Sequence, residues 1–203
     1  MTKTNSKIGV RQLVVSAMLS ALAVVLMFLE FSIPALIPPF VKLDFSDLPA
    51  LIGAFALGPV YGVVIELIKN LLHLVASQSL FIGELANFIL GAAFTFTAGM
   101  IYRHRKTKKN ALWGGIFGSL VMGIVSFPVN LFITYPVYIE AFFGGDVNVC
   151  IGMYKVIIPS METLPQCLLA FNLPFTIVKG LISVVIAMLI YKPLSKIIKG
   201  TRN

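Results

Sequence analysis

The residues with the clearest chemical potential are ionisable and amide side chains that lie inside long apolar runs. Lys179 stands within the last apolar run, and no carboxylate lies beside it in the sequence. Glu84 and Asn87 lie one helical turn apart at the start of another run, and Asn130 interrupts a third. Charges and amides in such surroundings are costly, so they are either paired or hold a ligand. For Lys179 we favour a ligand over a structural ion pair with Glu84 or Glu66.

A second polar group consists of Glu66, Lys69 and Asn70 on one predicted helix face. Glu66 and Lys69 are three residues apart, so they can neutralise each other or serve a ligand, and their spacing leaves both readings open. No metalloprotease, nucleophile-elbow or phosphate-loop motif occurs, and His73 and His104 are isolated. These patterns favour binding over catalysis, with no metal site and no means of using ATP within this chain.

The composition indicates that a lipid bilayer, rather than water, is the solvent of this chain. Of the 203 residues, 58% are hydrophobic and only 12% are charged. Soluble domains are usually about 45–50% apolar and about 25% charged. The net charge of +8 comes mostly from short basic clusters that flank apolar runs. Such clusters are typical of cytoplasmic loops, so we expect one transmembrane domain over residues 1–203 and no nucleic-acid partner.

The basic clusters also set the number of predicted helices. Apolar runs suggest five spans, but cytoplasmic placement of all three clusters requires an even number. The run 46–76 is too long for one crossing and contains Gly58-Pro59, which favours a break. We therefore predict an all-α integral membrane protein with both termini cytoplasmic and six helices, at about 11–30, 46–57, 60–76, 81–103, 111–138 and 166–192. The short helix 46–57 is typical of a transporter binding site, and the proline-rich outer loops are predicted to fold as lids.

Two pairs of small side chains have alternative interpretations. Ala17 and Ala21 form a small-xxx-small pattern that lets another helix approach closely. In an arbitrary membrane helix, this pattern favours internal packing. Cys150 and Cys167 lack a metal-binding spacing, so a disulfide and two free thiols are both open.

Several motifs together resemble a known transporter family. The stretch KLDFSDLPALIG at 42–53, then Gly58-Pro59 and ELIKN at 66–70, resembles the substrate-binding (S) components of energy-coupling factor (ECF) transporters. Other motifs resemble the riboflavin-specific members of this family. They are GELANF at 83–88, Asn130 with Pro136 and Tyr138, and Pro174-Phe175 with Lys179-Gly180. The resemblance covers nearly the whole chain.

That resemblance implies a six-helix S-component fold with a vitamin site near the outer face and a lid between the first two helices. It implies that riboflavin is the transported ligand rather than a cofactor. The implied partners are a transmembrane coupling subunit and two cytoplasmic ATPases in a bacterial plasma membrane. Another vitamin, such as thiamine, folate or a pantothenate-like acid, is the nearest alternative. A small membrane enzyme or an assembly factor is the more distant one.

The resemblance also assigns expected roles to individual residues. The amide of Asn130 is expected to meet the uracil-like edge of the flavin, and Lys179 to donate to a ring carbonyl or ribityl hydroxyl. Thr176 stands where the family pattern has asparagine, and Asn172 or a water is expected to compensate. Ala17 and Ala21 are expected to dock the coupling subunit. The full set of expected substrate-binding residues is Leu43, Asp44, Phe45, Glu84, Asn87, Asn130, Asn172, Thr176 and Lys179.

Overall fold

The structure, a computed structural model, describes residues 9–190, and its regular elements are helical. The predicted all-α architecture is confirmed, because the described residues contain no strand beyond one isolated bridge between Phe31 and Leu43. In chain order the α-helices are α1 (Val10–Phe28), α2 (Asp47–Ala56), α3 (Pro59–His73), α4 (Ile82–His104), α5 (Lys108–Val129), α6 (Tyr135–Phe142), α7 (Val147–Lys155), α8 (Leu164–Cys167) and α9 (Leu173–Leu189). The last helix ends at Leu189, and positions 191 and 192 of its predicted extent lie outside the described residues.

The chain breaks between α2 and α3 at Gly58. Its φ of 120° lies in a region that glycine enters readily and other residues rarely adopt. Pro59 then occupies the first position of α3, where its missing N–H leaves no helical bond unmade. The run 46–76 therefore forms two helices, and a 3₁₀ turn (Leu74–Ala76) extends the second.

Five helical segments in residues 9–190 are long and apolar enough to cross a membrane. They are Val10–Phe28, Pro59–Ala76, Ile82–His104, Lys108–Phe142 and Leu164–Leu189. The ten-residue α2 reaches only about 15 Å, half of a typical hydrocarbon core. It is buried on nearly every side, because it packs against α1, α3, α4 and α9. A helix that is apolar all round is stable in such a position.

Two of the long segments contain a π-helical turn. These turns are Asn130–Thr134, between α5 and α6, and Leu168–Asn172, between α8 and α9. The N–H of Tyr135 donates to the carbonyl of Asn130, and that of Leu173 donates to Leu168, each five residues back. A proline follows each turn at the second position of the next α-helix, as Pro136 and Pro174. Because proline cannot donate to the residue four positions back and its ring clashes there, an extra residue in the turn relieves the conflict.

The second long loop, predicted to be a lid, contains a helix of its own. The inner face of α7 buries Cys150, Ile151 and Tyr154 in a cluster with residues of α6 and α8. Cys150 and Cys167 are both fully buried and both free thiols. The loop is therefore packed onto the helical bundle by its apolar side chains.

Candidate functional site

A cavity of about 530 Å³ opens where α1 and α3 end and α4 begins. This volume lies within the range of pockets for drug-sized ligands. The loop before α2, both π turns and α9 also contribute to its walls. Seven of the nine expected substrate-binding residues line it, namely Asp44, Glu84, Asn87, Asn130, Asn172, Thr176 and Lys179.

Aromatic rings form a large part of the apolar wall. Phe40, from the loop between α1 and α2, makes edge contacts with Tyr135 and Tyr138, with ring centroids 5.9 and 6.2 Å apart. Phe142, Phe143 and Phe175 are further aromatic lining residues, and Leu90 and Met122 add aliphatic surface. Such rings can contact the faces of a planar ligand.

Leu43 and Phe45, the expected lid residues, do not line the cavity. The backbone of Leu43 pairs with Phe31 through two hydrogen bonds of 2.8 and 2.9 Å, which fixes this part of the loop. The ring of Phe45 lies against that of Phe31, with centroids 6.2 Å apart. Pro39, Phe40 and Val41 are the apolar residues of the same loop that line the cavity.

Lys179 lies at the cavity wall and is held by two carboxylates. Its Nζ lies 2.9 Å from Oδ2 of Asp44 and 3.3 Å from Oδ2 of Asp47. The sequence had suggested Glu84 or Glu66 as its structural partners, and the structure pairs it with neither. The first contact joins the loop before α2 to α9, 135 residues apart in sequence.

The ion pairs of Lys179 continue away from the cavity to Lys69, and these side chains together form one ion cluster. Its Nζ lies 2.5 Å from Asp47 and 2.7 Å from Glu66, and it donates to the hydroxyl of Ser46. The pairing of Glu66 with Lys69, one of two readings of their spacing, is therefore present. All of these side chains are buried. Three carboxylates face two ammonium groups in this cluster, and only Asp44 and Lys179 border the cavity.

Glu84 is the acceptor of a second hydrogen-bond cluster. It accepts from the hydroxyls of Ser77 and Ser79 at 2.8 and 2.6 Å, and Nδ1 of His73 lies 3.0 Å away. The ring of His73 also contacts Phe28, with centroids 4.9 Å apart. The sequence pattern left His73 isolated, because its partner lies on a different helix after a tight turn.

The three asparagines of the cavity differ in the hydrogen bonds that they already make. Asn172 already makes two hydrogen bonds, because its Oδ1 accepts from Tyr154 and its Nδ2 donates to Tyr135, both at 2.7 Å. Burial raises the pKa of the Tyr154 hydroxyl, so that hydroxyl stays protonated. Asn130 makes no side-chain hydrogen bond to any described residue. The Oδ1 of Asn87 is buried and also lacks a partner among residues 9–190.

This arrangement can bind a flat polar molecule. The walls offer aromatic surface, Asn130 and Asn87 offer unused amide groups, and Asp44 and Glu84 offer carboxylate acceptors. Residues 9–190 contain no group of three His, Cys, Asp or Glu side chains suited to a metal ion. The expected residues Ala17 and Ala21 do not line this cavity and are exposed on the surface of α1.

Apolar spanning helices around a cavity with polar groups in its wall define an integral membrane protein that binds a small molecule. The family model "ECF transporter, substrate-specific component" matches residues 11–191, and the chain belongs to this family. It is therefore a multi-pass membrane protein and a transporter component, not an enzyme.

Several known proteins are similar over nearly their full length. The riboflavin transporter RibU of Staphylococcus aureus (strain TCH60) is 38% identical over 189 residues, which are 93% of each chain. The riboflavin transporter FmnP of Bacillus subtilis (strain 168) is 31% identical over 96% of this chain and 97% of its own. A solved structure described as "Structure and mechanism of the S component of a bacterial ECF transporter" is 35% identical. It has a TM-score of 0.72 and covers 94% of this chain and 98% of that one.

Proposed function

We propose that this chain is the riboflavin-binding S component of an ECF transporter, formed by a single transmembrane substrate-binding domain. The observation that carries the proposal is the cavity of about 530 Å³, with aromatic walls and unused amide groups, in a chain similar to riboflavin transporters. Riboflavin combines a large planar ring, a uracil-like edge and a ribityl chain with several hydroxyls. Each of these parts has a chemical counterpart in the cavity.

The uracil-like edge alternates carbonyl acceptors with an N–H donor. Asn130 can meet both at once, because its amide carries a donor and an acceptor side by side and has no other described partner. Lys179 and Thr176 supply further donors at the cavity wall. Asp44, Glu84 and Asn87 supply acceptors for ribityl hydroxyls. Asn172 positions the side chains of Tyr135 and Tyr154 through its hydrogen bonds to their hydroxyls.

We further propose that the domain has six membrane helices, with α2 as the short sixth, and that both termini are cytoplasmic in a bacterial plasma membrane. The cavity then faces outward. Support comes from the short basic segment between α4 and α5, which lies at the opposite end of α4 from the cavity.

The proposed partners are a coupling subunit and two ATPases. The proposed docking surface is the exposed side of α1 that does not pack against the other helices. Ala17 and Ala21 are exposed there, and their small side chains leave room for a close helix contact. Ala17→Leu with Ala21→Leu should abolish co-purification of the coupling subunit while riboflavin affinity is unchanged. Ala141→Leu, at an exposed alanine of α6, is the matched control. Loss of both properties, or of neither, contradicts this docking role.

The direct test is the visible spectrum of the purified protein, followed by titration. We expect flavin absorbance after purification and quenching of riboflavin fluorescence on addition to the ligand-free protein. Thiamine and folate in tenfold excess should not displace the flavin. Displacement by either vitamin, or absence of quenching by a folded protein, would overturn the riboflavin assignment.

A further inference from the structure

A second recess, of about 460 Å³, lies at the end of the bundle opposite the substrate cavity. It is formed where α1 begins, α2 gives way to α3, and α4 ends. We call this recess the basic cleft. Its lining residues are Gln12, Ala54, Phe55, Leu57, Gly58, Pro59, Val60, Tyr61, Gly99, Tyr102, Arg103 and Lys106.

The cleft combines two cations with an apolar wall. Arg103 and Lys106 are exposed, and neither makes an ion pair within the described part of the chain. Val60 is 61% exposed and Leu57 is partly exposed, so apolar surface borders the charged groups. Tyr61 and Gln12 add polar groups to the same wall.

No Asp or Glu side chain pairs with the cations at this end within residues 9–190. Three of the eight acidic residues lie in the segment 140–162 around α7. The other five are Glu30, Asp44, Asp47, Glu66 and Glu84, and each is paired around the cavity or in the buried ion cluster. The two cations of the cleft are therefore available to an anion from outside the chain.

Helix electrostatics do not account for these cations. Arg103 lies in the last turn of α4, where a cation is favourable, but Lys106 lies in the loop beyond it. The helix dipole of α4 therefore stabilises Arg103 but not Lys106, whose exposed charge is available to an anion in the cleft.

We propose that the basic cleft binds the phosphate headgroup of an anionic phospholipid from the cytoplasmic leaflet. Arg103 and Lys106 contact the phosphate, and the glycerol and upper acyl carbons lie against Val60 and Leu57. Basic pockets between membrane helices on the cytoplasmic side are suited to such headgroups. The choice of the cytoplasmic leaflet rests on the proposed function, which places this end of the bundle in the cytoplasm. An acidic segment of a partner protein would be a different occupant of the cleft, and the experiment below distinguishes it from a lipid.

The test is native mass spectrometry of the full chain in mild detergent with equal amounts of phosphatidylglycerol and phosphatidylcholine. We expect wild-type protein to retain phosphatidylglycerol preferentially. Each basic charge near an anionic lipid contributes roughly a fivefold preference, so Arg103→Gln with Lys106→Gln should lower it about 25-fold. The control is Lys108→Gln with Lys109→Gln, which removes the same charge outside the cleft lining and should change the preference little. Lys106→Gln alone, in an exposed loop, covers the case in which the double variant fails to fold.

Four outcomes would overturn the proposal. They are no preference in wild-type protein, an equal loss in both double variants, and full displacement of the lipid by millimolar glycerol phosphate. The fourth is loss of coupling-subunit assembly by the cleft variant with its lipid preference intact, which would assign the cleft to a protein partner. Riboflavin quenching is measured on the same samples and should be unchanged by the cleft substitutions. Because that readout is separate, failure of the riboflavin assignment and failure of the lipid site are distinguishable.

Discussion

At the scale of single residues, Lys179 is the buried cation that joins the substrate cavity to the ion cluster beside it. It compensates Asp44, in the loop before α2, and Asp47, at the start of α2. Removing one partner of a buried ion pair destabilises a protein by about 3–5 kcal/mol, because the remaining charge stays uncompensated. Lys179 therefore has a structural role in addition to the ligand role proposed for it.

Lys179→Met should lower both the melting temperature and the affinity for riboflavin. Adding Asp44→Asn should recover part of the stability, because it removes a carboxylate that the first change left unpaired. The affinity should stay low, since the missing ammonium donor is not replaced. Thermal melts and fluorescence titrations measure the two properties. Lys155→Met, at an exposed position of α7, is the control.

Two results would contradict the ligand role of Lys179. One is wild-type affinity in Lys179→Met. The other is recovery of affinity in the double variant, which would show that Lys179 only positions its neighbours.

Asn87 differs from Lys179 in that its side chain is not already paired. Its buried Oδ1 has no hydrogen-bond partner among the described residues. An unsatisfied buried polar atom costs about 1–3 kcal/mol, which a ligand hydroxyl can remove. Asn87→Ala should therefore weaken riboflavin binding about tenfold while the ligand-free protein melts at the same or a higher temperature. Asn148→Ala, on the exposed part of α7, should change neither property. A lower melting temperature with unchanged affinity would assign Asn87 to the fold instead.

Polar residues of the cavity could be predicted from the sequence because an ionisable or amide group inside an apolar run is conspicuous. Apolar lining residues could not be distinguished from other apolar residues in this way, since nearly every neighbour in the sequence is also apolar. Leu43 was expected in the site and Phe40 was missed, because the bridge between Leu43 and Phe31 determines which part of the loop faces inward. The contact of His73 with Glu84 depends on how α3 and α4 meet, which no local pattern encodes.

At the scale of elements, the two π turns place polar residues at the cavity. Asn130 and Thr134 from the first turn, and Asn172 from the second, all line it. A π turn widens the helix by one residue and shifts the side chains that follow relative to those before it. The turns therefore control how the amides face the aromatic wall.

Replacing the prolines that follow the π turns tests this role. Pro136→Ala and Pro174→Ala each restore a backbone donor and remove the ring clash, so a regular α-helix becomes favourable. Each change should lower riboflavin affinity about tenfold, the equivalent of one misplaced hydrogen bond, with helix content by circular dichroism unchanged. Pro128→Ala, in the α-helical part of α5, is the matched control and should bind normally. Equal affinity in all three variants would show that the turns do not position the amides.

Elements with a local cause were predictable, and those with a tertiary cause were not. The break before α3 follows from Gly58-Pro59 alone, so the sequence located it. The helix α7 is stabilised by burying Cys150, Ile151 and Tyr154 against α6 and α8, and a loop was expected there. Pro136 and Pro174 are the signal that could have indicated the π turns.

At the scale of the whole molecule, charge is separated along the bundle. The carboxylates gather around the cavity and the α7 segment, and the basic segment between α4 and α5 lies at the opposite end. Such a separation orients a membrane protein, because basic loops are retained on the cytoplasmic side. The described helices and the charge pattern together therefore favour an outward-facing cavity.

Thiol labelling in intact cells tests this orientation, because the native cysteines provide an unreactive background. Burial and the neighbouring Cys167 thiol raise the pKa of the Cys150 thiol to about 12, so almost no reactive thiolate exists near neutral pH. Both thiols are also fully buried. A membrane-impermeant maleimide should label Asn148→Cys in intact cells and Lys106→Cys only after the membrane is permeabilised. The wild-type chain should be labelled only after denaturation, which also shows that its thiols are free. Labelling of Lys106→Cys in intact cells, with Asn148→Cys protected, would reverse the orientation and place the cavity on the cytoplasmic side.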